Sequence, residues 1–183
     1  MSGSPRARDL ALLDALDKLP RVRVHDTVWR VVRSGRDPLL CHPSAGRWDR
    51  GRFDVLYTAF DPDGAVAEMY FHLSRQPVFP SGIGFTLNEI EVTTRNTLKF
   101  ADLRELEPLG VERDEYPGLL YERTQEIGDA AAFLGFDGII APSARWDCLN
   151  LVVFCDGLSS GDLIVKKSSH IDRDTWRQAR GKS

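Results

Sequence analysis

The pair Asp61-Pro62 constrains the fold of this chain more than any other feature. Aspartate is a strong helix N-cap, and proline is preorganised for the first helical position. A helix therefore starts here and cannot extend backwards. Before the pair, Val55–Ala59 is a short apolar run with strand propensity. After it, a helical pattern runs to about Leu73, with Val66, Met69, Tyr70 and Leu73 as its apolar stripe. A second helix is predicted over Leu120–Leu134, with Leu120, Thr124, Ile127, Ala131 and Leu134 on one side and Gly135 as its cap.

The remaining segments are shorter. Residues 8–18 read as a helix closed by Pro20. Strands are predicted at Val22–Val24, Thr27–Val32, Gly84–Val92, Thr97–Phe100, Gly138–Ala141, Leu149–Phe154 and Leu163–Lys166. Asp102–Leu106 reads as a short helix, and 172–180 as a closing one. Residues 34–54 are rich in Gly, Pro, Ser, Asp and Arg, and make a loop of about twenty residues, long enough to suggest a functional role. Strands and helices mix without a regular βαβ rhythm. The expected fold is a single α+β domain over 1–183, with mixed or antiparallel sheets and flanking helices.

A chain of 183 residues, 42% hydrophobic and 28% charged, can bury a sizeable core. Its net charge of -3 argues against nucleic-acid binding by bulk phosphate attraction. The N-terminal apolar residues are interrupted by Asp9, Asp14 and Asp17, so neither a signal peptide nor a membrane span is expected. Three cysteines, Cys41, Cys148 and Cys155, show no CxxC spacing. That predicts no disulfide framework and a reducing, cytoplasmic setting. The four histidines lack ligand spacing, so no metal is expected.

Five residues carry the candidate chemistry. Arg30 lies inside an apolar strand and Arg47 in the long loop. Guanidinium forks match phosphate oxygens, although a single arginine is more often a solvated or salt-bridged surface residue. Tyr57 ends a strand, where it would either fill the core or stack on a flat heterocycle, its hydroxyl serving for orientation. Glu68 lies nearly opposite the apolar stripe of its helix, beside Ala65, Phe71 and His72 rather than on a simple charged face. Ser143 follows Pro142 near a strand end, a common place for turn closure. There is no GxSxG elbow, no Walker A sequence, and GIGF at Gly82–Phe85 lacks the third glycine of a dinucleotide fingerprint.

The phrases VWRVV, GRWDRGRFDVLYTAFDPDGAVAEMYFH and GFDGIIAPSARWDCLNLVVF, in this order over about residues 27–166, resemble the RES domain. This is a toxin family of bacterial toxin–antitoxin pairs, named for an Arg, a Glu and a Ser. The resemblance implies a fold related to diphtheria-type ADP-ribosyltransferases. It implies cleavage of NAD at the nicotinamide–ribose bond, with ADP-ribose passing to water, phosphate or a protein. It places Arg30, Arg47, Tyr57, Glu68 and Ser143 at the site. Glu68 would stabilise the oxocarbenium-like sugar, the two arginines would hold the diphosphate, Tyr57 would pack on nicotinamide, and Ser143 would position a neighbour. The arginine-rich loop 47–52 would offer a surface to a protein acceptor. The implied partner is a DNA-binding antitoxin whose tail blocks the cleft. The chain departs from the family at Asp49-Arg50, where Asn-Pro is frequent, and at Trp29, where tyrosine is common. The rival readings are a non-catalytic nucleotide- or protein-binding module and, less favoured, a ribonuclease toxin.

Overall fold

The computed structural model describes residues 8–78, 82–172 and 174, so the expected helix at 172–180 falls almost wholly outside the described residues. In chain order the elements are α1 (Leu10–Asp17), β1 (Val22–Arg33), β2 (Val55–Ala59), α2 (Pro62–Ser74), β3 (Phe85–Lys99), α3 (Glu122–Phe133), β4 (Gly138–Pro142), β5 (Leu149–Phe154) and β6 (Leu163–His170). The strands form one mixed sheet in the order β1-β2-β5-β4-β3-β6, and β1 also pairs with β3. That extra pairing closes five of the strands into a ring. Only β3 and β4 run parallel. This is the α+β fold with a mixed sheet and flanking helices.

The period of two along each strand divides the core in two. Ile139 and Val152 pack with Leu12, Leu16, Phe100 and Ile127 under α1 and α3. Their chain neighbours Ile140, Leu151 and Val153 pack on the other face with Val28, Leu56, Ile90 and Val92. Tyr57 packs against the first cluster and Leu56 belongs to the second. The strand carrying the candidate tyrosine is thus locked on both faces.

Several boundaries differ from the pattern-based expectation, each for a backbone reason. The two N-terminal strands are one, because His25 and Asp26 pair with Thr93 and Val92 and need no apolar side chains to do so. The two strands after Gly84 also merge into β3. Asp137 makes this continuous by accepting hydrogen bonds from the backbone N–H groups of Arg95 and Asn96, at 2.6 and 2.9 Å. In α2, Asp61 caps Gly64 as expected, at 3.0 Å. Its buried residues, however, are Gly64, Ala65, Val66, Ala67 and Leu73, with Met69 and Tyr70 only partly covered. Small residues let this helix lie close to its neighbours: a Cβ on Gly64 would collide with Cys148 Sγ.

The cysteines correct the reading from spacing. Cys41 and Cys155 form a disulfide across 114 residues of sequence, and Cys148 remains free. The pairing follows from the sheet. His42 bridges to Val55, Val55 pairs with Phe154, and the Cys155 N–H donates to Asp54 O at 2.9 Å. The loop is thereby laid beside the end of β5. Counting thiols could not show this, and the cysteine argument for a reducing compartment no longer holds. Among the described residues no helix is long and apolar enough to cross a membrane.

Candidate active site

A cavity of about 500 Å³ opens between α2, the long loop and the β2–β5 part of the sheet. That size is in the range of small-molecule sites. Arg30, Arg47, Tyr57 and Glu68 all line it, coming from β1, the loop, β2 and α2. Ser143 is not on the wall but stands behind Glu68.

Glu68 is held from one side only. Ser143 Oγ donates to its Oε1 at 2.8 Å, and Asn150 Nδ2 donates to the same oxygen at 3.1 Å. Ser143 is fixed in turn, since its N–H closes the β4–β5 hairpin onto Cys148 O at 2.9 Å and its Oγ accepts the Arg145 N–H at 3.1 Å. Among the described residues no protein group donates to Glu68 Oε2. The carboxylate therefore has a fixed orientation and one oxygen available to a ligand.

The opposite wall is the loop around Asp49, which is fully buried. Its carboxylate accepts from the backbone N–H groups of Ser44, Ala45, Gly46 and Gly51, from Ser44 Oγ and from Tyr57 Oη, all within 3.1 Å. Burial opposes its charge, but the bonds from Ser44 and Tyr57 and from the loop amides outweigh it, and its pKa lies below the ordinary carboxylate value. The loop has no regular secondary structure, yet this hub gives it one shape. Trp48 seats the loop on α3, where a Cβ at Gly128 would collide with the Trp48 carbonyl. Gln125 Nε2 donates to Gly46 O at 2.8 Å.

Tyr57 belongs to this hub. It donates its hydroxyl to Asp49 at 2.7 Å and accepts the Trp48 N–H at 2.9 Å. Burial, with the nearby Asp49 charge, raises its pKa well above the usual tyrosine value. The hydroxyl is engaged inside the protein, which leaves the ring to meet a ligand.

Both arginines are oriented by backbone carbonyls rather than by carboxylates. Arg30 donates to Pro38 O at 2.7 Å and Leu40 O at 3.2 Å. Burial lowers its pKa, with Asp37 opposing, and it remains a cation. Arg47 donates to Tyr116 O at 2.6 Å and lies 4.5 Å and 4.7 Å from the ring centres of Tyr116 and Tyr121. Carbonyl bonds and aromatic stacking fix a guanidinium without cancelling its charge.

A sequence model of the RES domain matches residues 6–176. The chain belongs to the RES domain family. It is 22% identical over 181 residues to the NAD(+) phosphorylase MbcT of Mycobacterium tuberculosis and of Mycobacterium bovis, covering 95% of this chain and 97% of each relative. The fold matches the crystal structure of the M. tuberculosis MbcT–MbcA toxin–antitoxin complex with a TM-score of 0.83. That match has 23% identity and covers 96% of this chain and 100% of the other.

In this RES domain the cavity holds groups that pattern reading did not single out. Asn150 is the second residue of β5, where a single polar residue inside the apolar run LNLVVF was the available signal. Its Oδ1 is buried without a hydrogen-bond partner. His72 follows Glu68 by one helical turn and also lines the wall. Burial lowers its pKa, Glu68 opposes, and Arg145, Arg75 and Arg47 lower it further, so the ring is neutral near pH 7. Arg145 comes from the β4–β5 turn, and only the fold brings it to α2. Such a site can hold an anionic ligand against guanidinium groups while one carboxylate oxygen faces a developing positive charge.

Proposed function

We propose that this RES domain is a toxin enzyme that cleaves NAD at the nicotinamide–ribose bond and passes ADP-ribose to inorganic phosphate. The observation that carries this reading is Glu68, with Oε1 held by Ser143 and Asn150 and Oε2 without a protein donor. Nicotinamide leaves neutral from a cationic ring, so the reaction needs little acid catalysis. Its barrier is the oxocarbenium-like ribose, and a fixed carboxylate stabilises that charge. Arg30 and Arg47 face the diphosphate. The Tyr57 ring packs on the nicotinamide side. Ser143 and Asn150 are positioning residues that act through Glu68.

Phosphate as acceptor is supported by the likeness to the mycobacterial NAD(+) phosphorylase, at 22% identity over nearly the whole chain. The loop also bears on the choice. It was expected to offer a protein acceptor an arginine-rich surface, but Arg50 lies 3.5 Å from Glu126 and 3.6 Å from Asp129 of α3, and Arg47 is held by Tyr116. The solved neighbour contains an antitoxin, and the same kind of partner, covering the cavity mouth, is proposed here. The DNA contact would belong to that partner. A substrate of this kind places the protein in the cytoplasm, where NAD is found.

The test is nicotinamide release from NAD by purified protein, with and without phosphate, beside Glu68→Gln. Phosphate-dependent release that the variant loses supports the reading. Equal NAD loss in wild type and variant, or none in either, overturns it.

A further inference from the structure

The corner of the cavity beyond Glu68 carries more positive charge than a dinucleotide requires. Four guanidinium groups line the cavity, from Arg30, Arg47, Arg75 and Arg145, against one lining carboxylate, Glu68. The Asp49 charge lies behind the wall and is already met by six donors. The chain as a whole carries a net charge of -3, so this excess is local. NAD is close to a monoanion, because its two phosphate charges are partly offset by the nicotinamide cation. Once NAD is bound, net positive charge remains.

The excess concentrates on α2 around Phe71 and His72. The Arg145 guanidinium carbon lies 3.3 Å from the Phe71 ring centre, and that of Arg75 lies 5.6 Å from it. Two cations share one ring, and neither forms an ion pair with a carboxylate among the described residues. Arg145 donates through one terminal nitrogen to Pro117 O at 2.7 Å, while its other terminal nitrogen is buried with no acceptor. With no carboxylate beside it, the Arg145 guanidinium on the cavity wall keeps its positive charge, and an anion in the cavity supplies the missing counter-charge. Both arginines also act on His72, which burial keeps neutral, so the corner gains no further cation that a carboxylate would have to balance.

We propose that Arg145 and Arg75, with Phe71 and His72 between them, form the subsite for the acceptor, an inorganic phosphate dianion. The assignment rests on the phosphorolysis reading above and gives it an address. His72 is four residues from Glu68 on one helix face, a rise of about 6 Å. A ribose whose C1 faces Glu68 then has the phosphate within one sugar's width. In the step, the bond from ribose C1 to the nicotinamide nitrogen breaks, and its electron pair goes to the ring, which leaves neutral. An oxygen of HPO4 2− forms the new bond to C1. The products are nicotinamide and ADP-ribose 1″-phosphate. No proton moves, since the dianion is already the nucleophile. Water would need a base.

The experiment measures initial rates of wild type, Arg145→Gln, Arg145→Lys and Arg75→Gln over a grid of NAD and phosphate concentrations, with products resolved by chromatography. The expected result for Arg145→Gln is a phosphate KM raised at least tenfold, an NAD KM within about twofold, and a larger share of free ADP-ribose. Arg145→Lys recovers part of the phosphate affinity, and Arg75→Gln shows a smaller rise. Two other causes would give different patterns. Slackening of the 116–118 loop would raise the NAD KM as well, because Arg47 hangs on the carbonyls of Tyr116 and Gly118. A corner that holds the NAD diphosphate would raise the NAD KM alone. Either pattern overturns the subsite, as does an unchanged phosphate KM in a wild type that needs phosphate, and then the phosphorolysis reading survives. A wild type whose NAD cleavage ignores phosphate overturns both.

Discussion

Two carboxylates serve this cavity, Glu68 on its wall and Asp49 buried behind it, and their surroundings suit them to opposite work. Asp49 is fully buried and all its acceptor capacity is used by six donors from the loop and Tyr57. Glu68 has one oxygen held by two donors and the other open. A carboxylate whose lone pairs are all met inside the protein builds shape. One that is fixed but half met can act on a ligand. The difference lies in the number and direction of the donors that each carboxylate receives.

The largest effect that would sharpen this contrast is expected at Glu68. Glu68→Gln should lower NAD cleavage by about 10³-fold, the scale of removing one preorganised electrostatic group, while the melting temperature stays near wild type. A large loss of stability would break the contrast. Asp49→Ala should do the reverse, costing at least about 3 kcal/mol in denaturant unfolding because several buried donors lose their acceptor. Its pKa is lowered in the folded state, so its contribution is complete above the ordinary carboxylate range and is lost as pH falls through the lowered value. The stability gap between wild type and Asp49→Asn should therefore narrow in acid. A gap that widens there would contradict the hub.

Smaller effects are expected from the groups that serve each carboxylate. Ser143→Ala and Asn150→Ala each remove one of the two donors that hold Glu68 Oε1. Each should lower kcat about 10- to 100-fold through misplacement, with the NAD KM nearly unchanged. Equal changes in KM would mean that these residues touch substrate directly. Tyr57→Phe removes a donor from Asp49 and an acceptor from Trp48. It should cost about 1–2 kcal/mol of stability and leave most of the activity, because the ring remains. A near-complete loss of activity in a folded variant would show that the hydroxyl works on substrate.

Local chemistry wrote much of the fold into the sequence. Asp61-Pro62 starts α2 where an N-cap and a fixed φ require it. The alternation in Gly138–Pro142 and Leu149–Phe154 divides those strands between two cores. The order of Arg30, Arg47, Tyr57, Glu68 and Ser143 within the RES phrases was legible too. What was not legible depends on contacts between distant segments. His25 and Asp26 look like a strand break until the β3 backbone is beside them. Cys41 and Cys155 look like unrelated thiols until the loop lies along β2. Asp49 looked like a departure from a motif, and only the folded loop turns it into a hub. Arg145 and His72 share a corner because a hairpin turn and a helix meet there.

By itself, the sequence determined the family, the element types and four residues that line the cavity, Arg30, Arg47, Tyr57 and Glu68, because caps, periodicity and motif order act over a few neighbouring residues. The tertiary structure decided which donors each carboxylate receives, which cysteines meet and where unpaired positive charge collects. Hydrogen bonds and charge interactions act over ångströms in space, and separation along the chain does not encode those distances.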